Sequence, residues 1–134
     1  MMRLFVVLAL VCFPFAAQAA GPAAETLPSG VTVERYKEGT GTAPTKTDVV
    51  RVHYQGTLAN GREFDSSYGR GQPAEFPVNG VIPCWTEVLQ LMKPGGAVRI
   101  TCPPQTAYGE RGIAGTIPPN STLTFVVELL EVKH

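Results

Sequence analysis

Few side chains in this 134-residue chain could carry covalent chemistry, and their spacing argues against it. Ser66 and Ser67 are adjacent hydroxyls, but the candidate base is His53, on a strand face whose alternation predicts exposure to solvent. A Ser–His hydrolase is therefore not expected. His53 and His134 offer no metal-ligand spacing, and no CxxC pair is present. The loop AYGERGIAGTIPPNST is rich in glycine but lacks the strand–GxGxxG–helix setting of a phosphate cradle. What remains is Asp65 at the end of a short strand, with Tyr54, Phe64, Phe76, Val81, Ile82, Trp85, Tyr108, Ile117 and Phe125 in the turns and around one helix. Taken singly, each has a plainer reading. Trp85, Tyr54, Phe64 and Phe125 could be core, and Asp65 could cap a turn.

The elements that must position these residues are legible from periodicity. In VIPCWTEVLQLMKPGG, Trp85, Val88, Leu89 and Met92 recur at i, i+3, i+4 and i+7, an apolar stripe on a helix that Pro94 and Gly95-Gly96 stop. Asp48 to Leu58 alternates, with Val50, Val52 and Tyr54 on one face and Arg51, His53 and Gln55 on the other. Asn60-Gly61 then predicts a hairpin into REFDSS. Further strands are expected from Val31, around Glu75 to Val78, over Ala97 to Cys102, and over Leu123 to Val132. The expected fold class is α+β, an antiparallel sheet wrapped around a single short helix. The high count of turn formers, 14 Gly and 12 Pro, agrees.

The first residues form a separate unit. A basic start through Arg3, an apolar run from Leu4 to Ala17 and the small-x-small Ala17-Gln18-Ala19 predict a cleavable signal peptide over 1–19. The apolar run is short for a bilayer span, so stable membrane insertion after cleavage is not expected. Residues 20–30 read as a linker or disordered tail, and 31–134 as one domain. The full chain balances 11 basic against 11 acidic residues, and losing Arg3 leaves 10 against 11, which excludes a basic nucleic-acid footprint. Cys12 falls within the signal. Cys84 and Cys102 then form an even pair in an exported chain, which reads first as a disulfide, with two buried thiols as the alternative.

Three blocks, VHYQGTLANGREFDSSY, VIPCWTEVLQLMKPGG and AYGERGIAGTIPPNSTLTFVVELLEV, together resemble an FKBP-type peptidyl-prolyl cis-trans isomerase, most closely its exported bacterial members. The resemblance covers Val31 to Val132. It implies a prolyl pocket with Trp85 as floor, Tyr54, Phe64, Phe76, Val81, Ile82 and Phe125 as walls, and Ile117 in a flap. Its polar groups map onto Asp65, the Tyr108 hydroxyl and the Ile82 backbone N–H. Two positions depart from the pattern: Ile113 stands where some members carry a loop histidine, and Cys84 where many carry glycine. No cofactor is implied. The partners implied are proline-containing peptides, unfolded exported proteins and macrolides of the rapamycin class, bound by a periplasmic or secreted monomer. The alternatives are a chaperone module using the same groove without catalysis, and a thiol redox protein, which the cysteine spacing disfavours.

Overall fold

The computed structural model describes residues 23–134, so the expected signal peptide lies outside the described residues. Seven strands form one antiparallel sheet: β1 (Ala24–Thr26), β2 (Thr32–Lys37), β3 (Val49–Leu58), β4 (Glu63–Ser66), β5 (Ala74–Pro77), β6 (Ala97–Cys102) and β7 (Leu123–Lys133). Their order is β1-β2-β6-β7-β3-β4, and β5 pairs with the first half of β3. The outer edge of β3 is thus shared, with Val49–Val52 against β5 and Gln55–Thr57 against β4.

The seven-residue helix α2 (Pro83–Leu89) packs on one face of this sheet. Pro83 opens it, where a missing N–H costs nothing. It ends before Pro94, sooner than the stripe predicts: Leu91 and Met92 donate back to Val88 and Leu89 in a tighter turn that still buries Met92. Trp85, Val88 and Leu89 meet Val50, Val52, Val98, Ile100, Val127 and Leu129 in one core. Each fully buried aliphatic side chain contributes roughly 1.5–3 kcal/mol. Alternation on β3, β6 and β7 falls as the sequence predicts, because a half-buried strand repeats every second residue.

Three differences from the sequence reading matter. Ala24–Thr26, within the expected linker, pairs with β2 as an exposed edge strand. A second, four-residue helix, α1 (Ser67–Arg70), interrupts the path from β4 to β5. Ser66 caps it by accepting from the Gly69 N–H at 3.2 Å, and Gly71 closes it at φ 70°. The third concerns the outer face of β3. His53 is half-buried, not exposed, because α1 folds over it: Tyr68 stacks on its ring at 4.6 Å and Ser67 Oγ lies 2.9 Å from its Nδ1.

The β3–β4 hairpin forms where Asn60-Gly61 predicts it. Its tip holds through Leu58–Arg62 backbone pairing and an Arg62 N–H donated to the Asn60 side chain at 2.9 Å. Cys84 and Cys102 are joined in a disulfide, both fully buried with Cα atoms 5.8 Å apart. Closing a loop of 18 residues stabilises the fold by about 3 kcal/mol in the chain-entropy model.

Candidate functional site: an aromatic pocket with an acidic rim

Six segments converge on a pocket of about 490 Å³. Tyr54 comes from β3, Phe64 and Asp65 from β4, Phe76 from β5, and Phe125 from β7. Val81, Ile82 and Trp85 come from the start of α2 and the turn before it, and Ala107 and Tyr108 from the connection after β6. Trp85, only 4% exposed, holds the centre, with Tyr54, Phe76 and Phe125 set edge-on against it at 5.1, 5.6 and 5.3 Å. Edge-to-face pairs of this kind add about 0.5–1.5 kcal/mol each beyond burial. The indole N–H has no partner among the described residues, a buried donor inside an otherwise apolar cluster.

Gly56 explains how the far wall closes. Phe64 and Phe125 pack edge-to-face at 5.6 Å directly over it, and a Cβ there would come within 2.6 Å of the Phe64 ring. Only glycine lets both rings settle on the strand.

The polar rim divides into groups that are engaged and groups that are free. Asp65 accepts a hydrogen bond from the Tyr54 hydroxyl and another from Arg70 at 2.6 Å. Arg70 also donates to the Tyr54 hydroxyl at 3.1 Å, closing a three-membered network. Burial pushes the Asp65 carboxyl upward, but the donors Tyr54 and Arg70 outweigh it, so the group sits below its ordinary value. Tyr54 moves upward, first through burial and then through the adjacent carboxylate. By contrast, the Tyr108 hydroxyl and the Ile82 N–H have no hydrogen-bond partner among the described residues. Tyr108 is 38% exposed, and burial of its ring, with the Asp65 charge nearby, keeps its hydroxyl protonated to higher pH than usual.

Ser67 and His53 do meet, but away from this pocket and inside the protein. Ser67 is fully buried; its Oγ accepts from the Tyr54 N–H at 2.7 Å. A hydroxyl so engaged has no route to a substrate. Among the described residues no group of three or more metal-ligating side chains occurs, and no helix is long and apolar enough to cross a membrane.

Residues 40–130 match the family model for the FKBP-type peptidyl-prolyl cis-trans isomerase. The chain belongs to that family. It is 56% identical over 104 residues to the FKBP-type 22 kDa peptidyl-prolyl cis-trans isomerase of Escherichia coli K12, an alignment covering 78% of this chain and 50% of the relative. The crystal structure of FkpA from E. coli superposes with a TM-score of 0.80 at 49% identity, covering 87% of this chain and 54% of that one. A peptidyl-prolyl cis-trans isomerase from Pseudomonas syringae pv. tomato DC3000 superposes with a TM-score of 0.79 at 35% identity, over 89% of this chain and 87% of that one. The chain spans about half the length of the curated relatives it matches. The antiparallel sheet around a short helix is thus the fold of this FKBP family.

Nearly all the expected pocket residues come together in this FKBP-type fold. Ile117 does not. It is 3% exposed, its backbone is paired with Ile113, and it packs into the core beside a different cleft rather than over the aromatic pocket. Arg70, Gly80 and Ala107 were not anticipated. Arg70 had a signal in SSYGRG, where a capping serine and a closing glycine bracket one helical turn that carries it back to Asp65.

Proposed function

We propose that this chain is a peptidyl-prolyl cis-trans isomerase that accelerates X–Pro isomerisation in exported proteins. The observation that carries the reading is the pairing of a Trp85-centred apolar pocket with two unengaged donors at its edge, the Tyr108 hydroxyl and the Ile82 N–H.

An X–Pro bond turns over a barrier of about 18–20 kcal/mol because amide resonance is lost midway. Uncatalysed, this takes roughly 10–100 s. The twisted amide no longer shares charge between carbonyl and nitrogen and is less polar than the planar form, so a dry aromatic pocket favours it. That is differential binding of the transition state, with no covalent intermediate and no cofactor. Tyr108 and Ile82 hold substrate carbonyls. Asp65, fixed by Arg70, orients the Tyr54 hydroxyl along the pocket wall. A thousandfold acceleration asks for only about 4 kcal/mol.

Family membership and the pocket support this reading, and macrolides of the rapamycin class are the matching inhibitors. The signal-like pattern over residues 1–19 supports a periplasmic or secreted domain, which we propose acts as a monomer. A protease-free assay on a proline tetrapeptide tests it. Accelerated relaxation that such a macrolide abolishes is expected. An intact pocket that binds the peptide without accelerating it would instead indicate a chaperone module.

A further inference from the structure

A second cleft, of about 520 Å³, lies between the tip of the β3–β4 hairpin and the connection from β6 to β7. The same two segments also wall the aromatic pocket. The hairpin contributes Leu58, Asn60 and Arg62 to the cleft, then Phe64 and Asp65 to the pocket. The connection contributes Ala107 and Tyr108 to the pocket, then Arg111 and Ile113 through Pro119 to the cleft. The two cavities therefore share the hairpin and the connection as walls.

The cleft has a firm apolar wall and two unanswered charges. Ile113 and Ile117 exchange backbone hydrogen bonds at 2.8 Å each, and the Asn120 N–H donates to Gly109 at 2.8 Å, closing the connection on itself. At Gly112, φ is 59° and a Cβ would meet the Ile117 carbonyl at 2.3 Å, so the tight fold of this segment requires glycine there. On this preformed surface Ile113 is left 39% exposed. Arg62 and Arg111 both line the cleft, and neither forms an ion pair among the described residues; Arg35, Arg51 and Arg70 do, and Arg99, on β6 and not lining the cleft, does not. Their chain neighbours Glu63 and Glu110 do not line it, and Glu63 is engaged by Gln55.

We propose that this cleft is a client-binding subsite that takes an acidic, partly apolar stretch of the polypeptide whose proline occupies the aromatic pocket. The proposal rests on the isomerase reading. Two arginines lining one cleft complement carboxylates and give selectivity through charge, while Ile113 offers an apolar contact. Clients with Asp or Glu flanking the target proline are favoured over lysine-flanked ones.

The test compares a proline tetrapeptide with extended peptides carrying an Asp-Glu run, a Gln run or a Lys run on either side of the proline. Isomerisation and calorimetric binding are both measured at low and high salt, on the wild-type chain and an Arg62→Gln/Arg111→Gln variant. Expected is an affinity gain of about fivefold for an acidic peptide over its Gln counterpart, falling with salt and lost in the double variant. Turnover of the unextended tetrapeptide stays unchanged in that variant. Equal binding of acidic and Gln peptides, or an acidic preference that survives in the double variant, overturns the subsite. Absence of turnover on the tetrapeptide would overturn the isomerase reading instead, while binding would still decide the subsite.

Discussion

His53 and Tyr54 are neighbours on β3, yet the two faces they open onto have opposite characters. On the outer face, Ser67, His53, Tyr68 and Glu128 form a run of mutual contacts: Ser67 Oγ to His53 at 2.9 Å, the His53–Tyr68 stack, and the Tyr68 hydroxyl donating to Glu128 at 3.1 Å. On the inner face, Tyr54, Asp65 and Arg70 are likewise bound together, but beside them Tyr108 and Ile82 keep free donors over an apolar floor. The outer face contains the residues that look catalytic by type. The inner face contains groups with capacity left to bind something else. A hydrogen-bonding group already satisfied inside the protein stabilises structure, and an unsatisfied one at a cavity edge is available to a ligand.

Substitutions separate the two faces. Asp65→Ala on the inner face removes a charged acceptor that holds both Tyr54 and Arg70. Hydrogen bonds to charged groups contribute roughly 1.5–3 kcal/mol, so kcat/KM in the tetrapeptide assay falls about ten- to a hundredfold. Ser67→Ala on the outer face leaves the buried Tyr54 N–H without its acceptor and lowers unfolding free energy by about 1–3 kcal/mol in urea titration. Turnover per folded molecule stays within about twofold. A comparable activity loss in the fully folded serine variant would break the contrast.

Tyr108→Phe is the finer probe. It removes one free hydroxyl with no intramolecular partner among the described residues, so stability is unchanged while kcat/KM falls roughly fivefold, about 1 kcal/mol. Unchanged turnover would take that hydroxyl out of the reaction.

The smallest effect is in pH. The Asp65 carboxyl is held below its ordinary value of 3.8, so the folded state keeps it ionised where the unfolded chain has begun to protonate. Its stabilising effect is complete above that ordinary value and is lost as pH falls through the lowered folded value. Activity governed by Asp65 is therefore flat through mildly acidic pH and declines only as pH falls below the ordinary carboxylate value of 3.8. A break well above that range would assign control to another group.

The strands and α2 were legible because their cause is local. Period-two alternation marks Val50, Val52 and Tyr54, and the i, i+3, i+4 stripe marks Trp85, Val88 and Leu89, whatever the rest of the chain does. The environments of His53 and Ile117 were not legible. Exposure of His53 depended on where α1 folded, and the place of Ile117 on how an irregular connection paired with itself. The edge strand Ala24–Thr26 lacks any apolar pattern and is held by backbone pairing with β2 and by the Glu25–Arg35 ion pair at 3.5 Å.

By itself, the sequence determined the fold class, the family likeness and nearly every aromatic wall of the pocket, since these follow from periodicity and from residue types in fixed order. Tertiary structure alone decided which polar groups are free. Arg70 reaches Asp65 only because α1 turns the chain back, and Ser67 is lost to chemistry only because Tyr54 donates to it. Whether a donor is satisfied depends on atoms distant in sequence, and no local pattern encodes that.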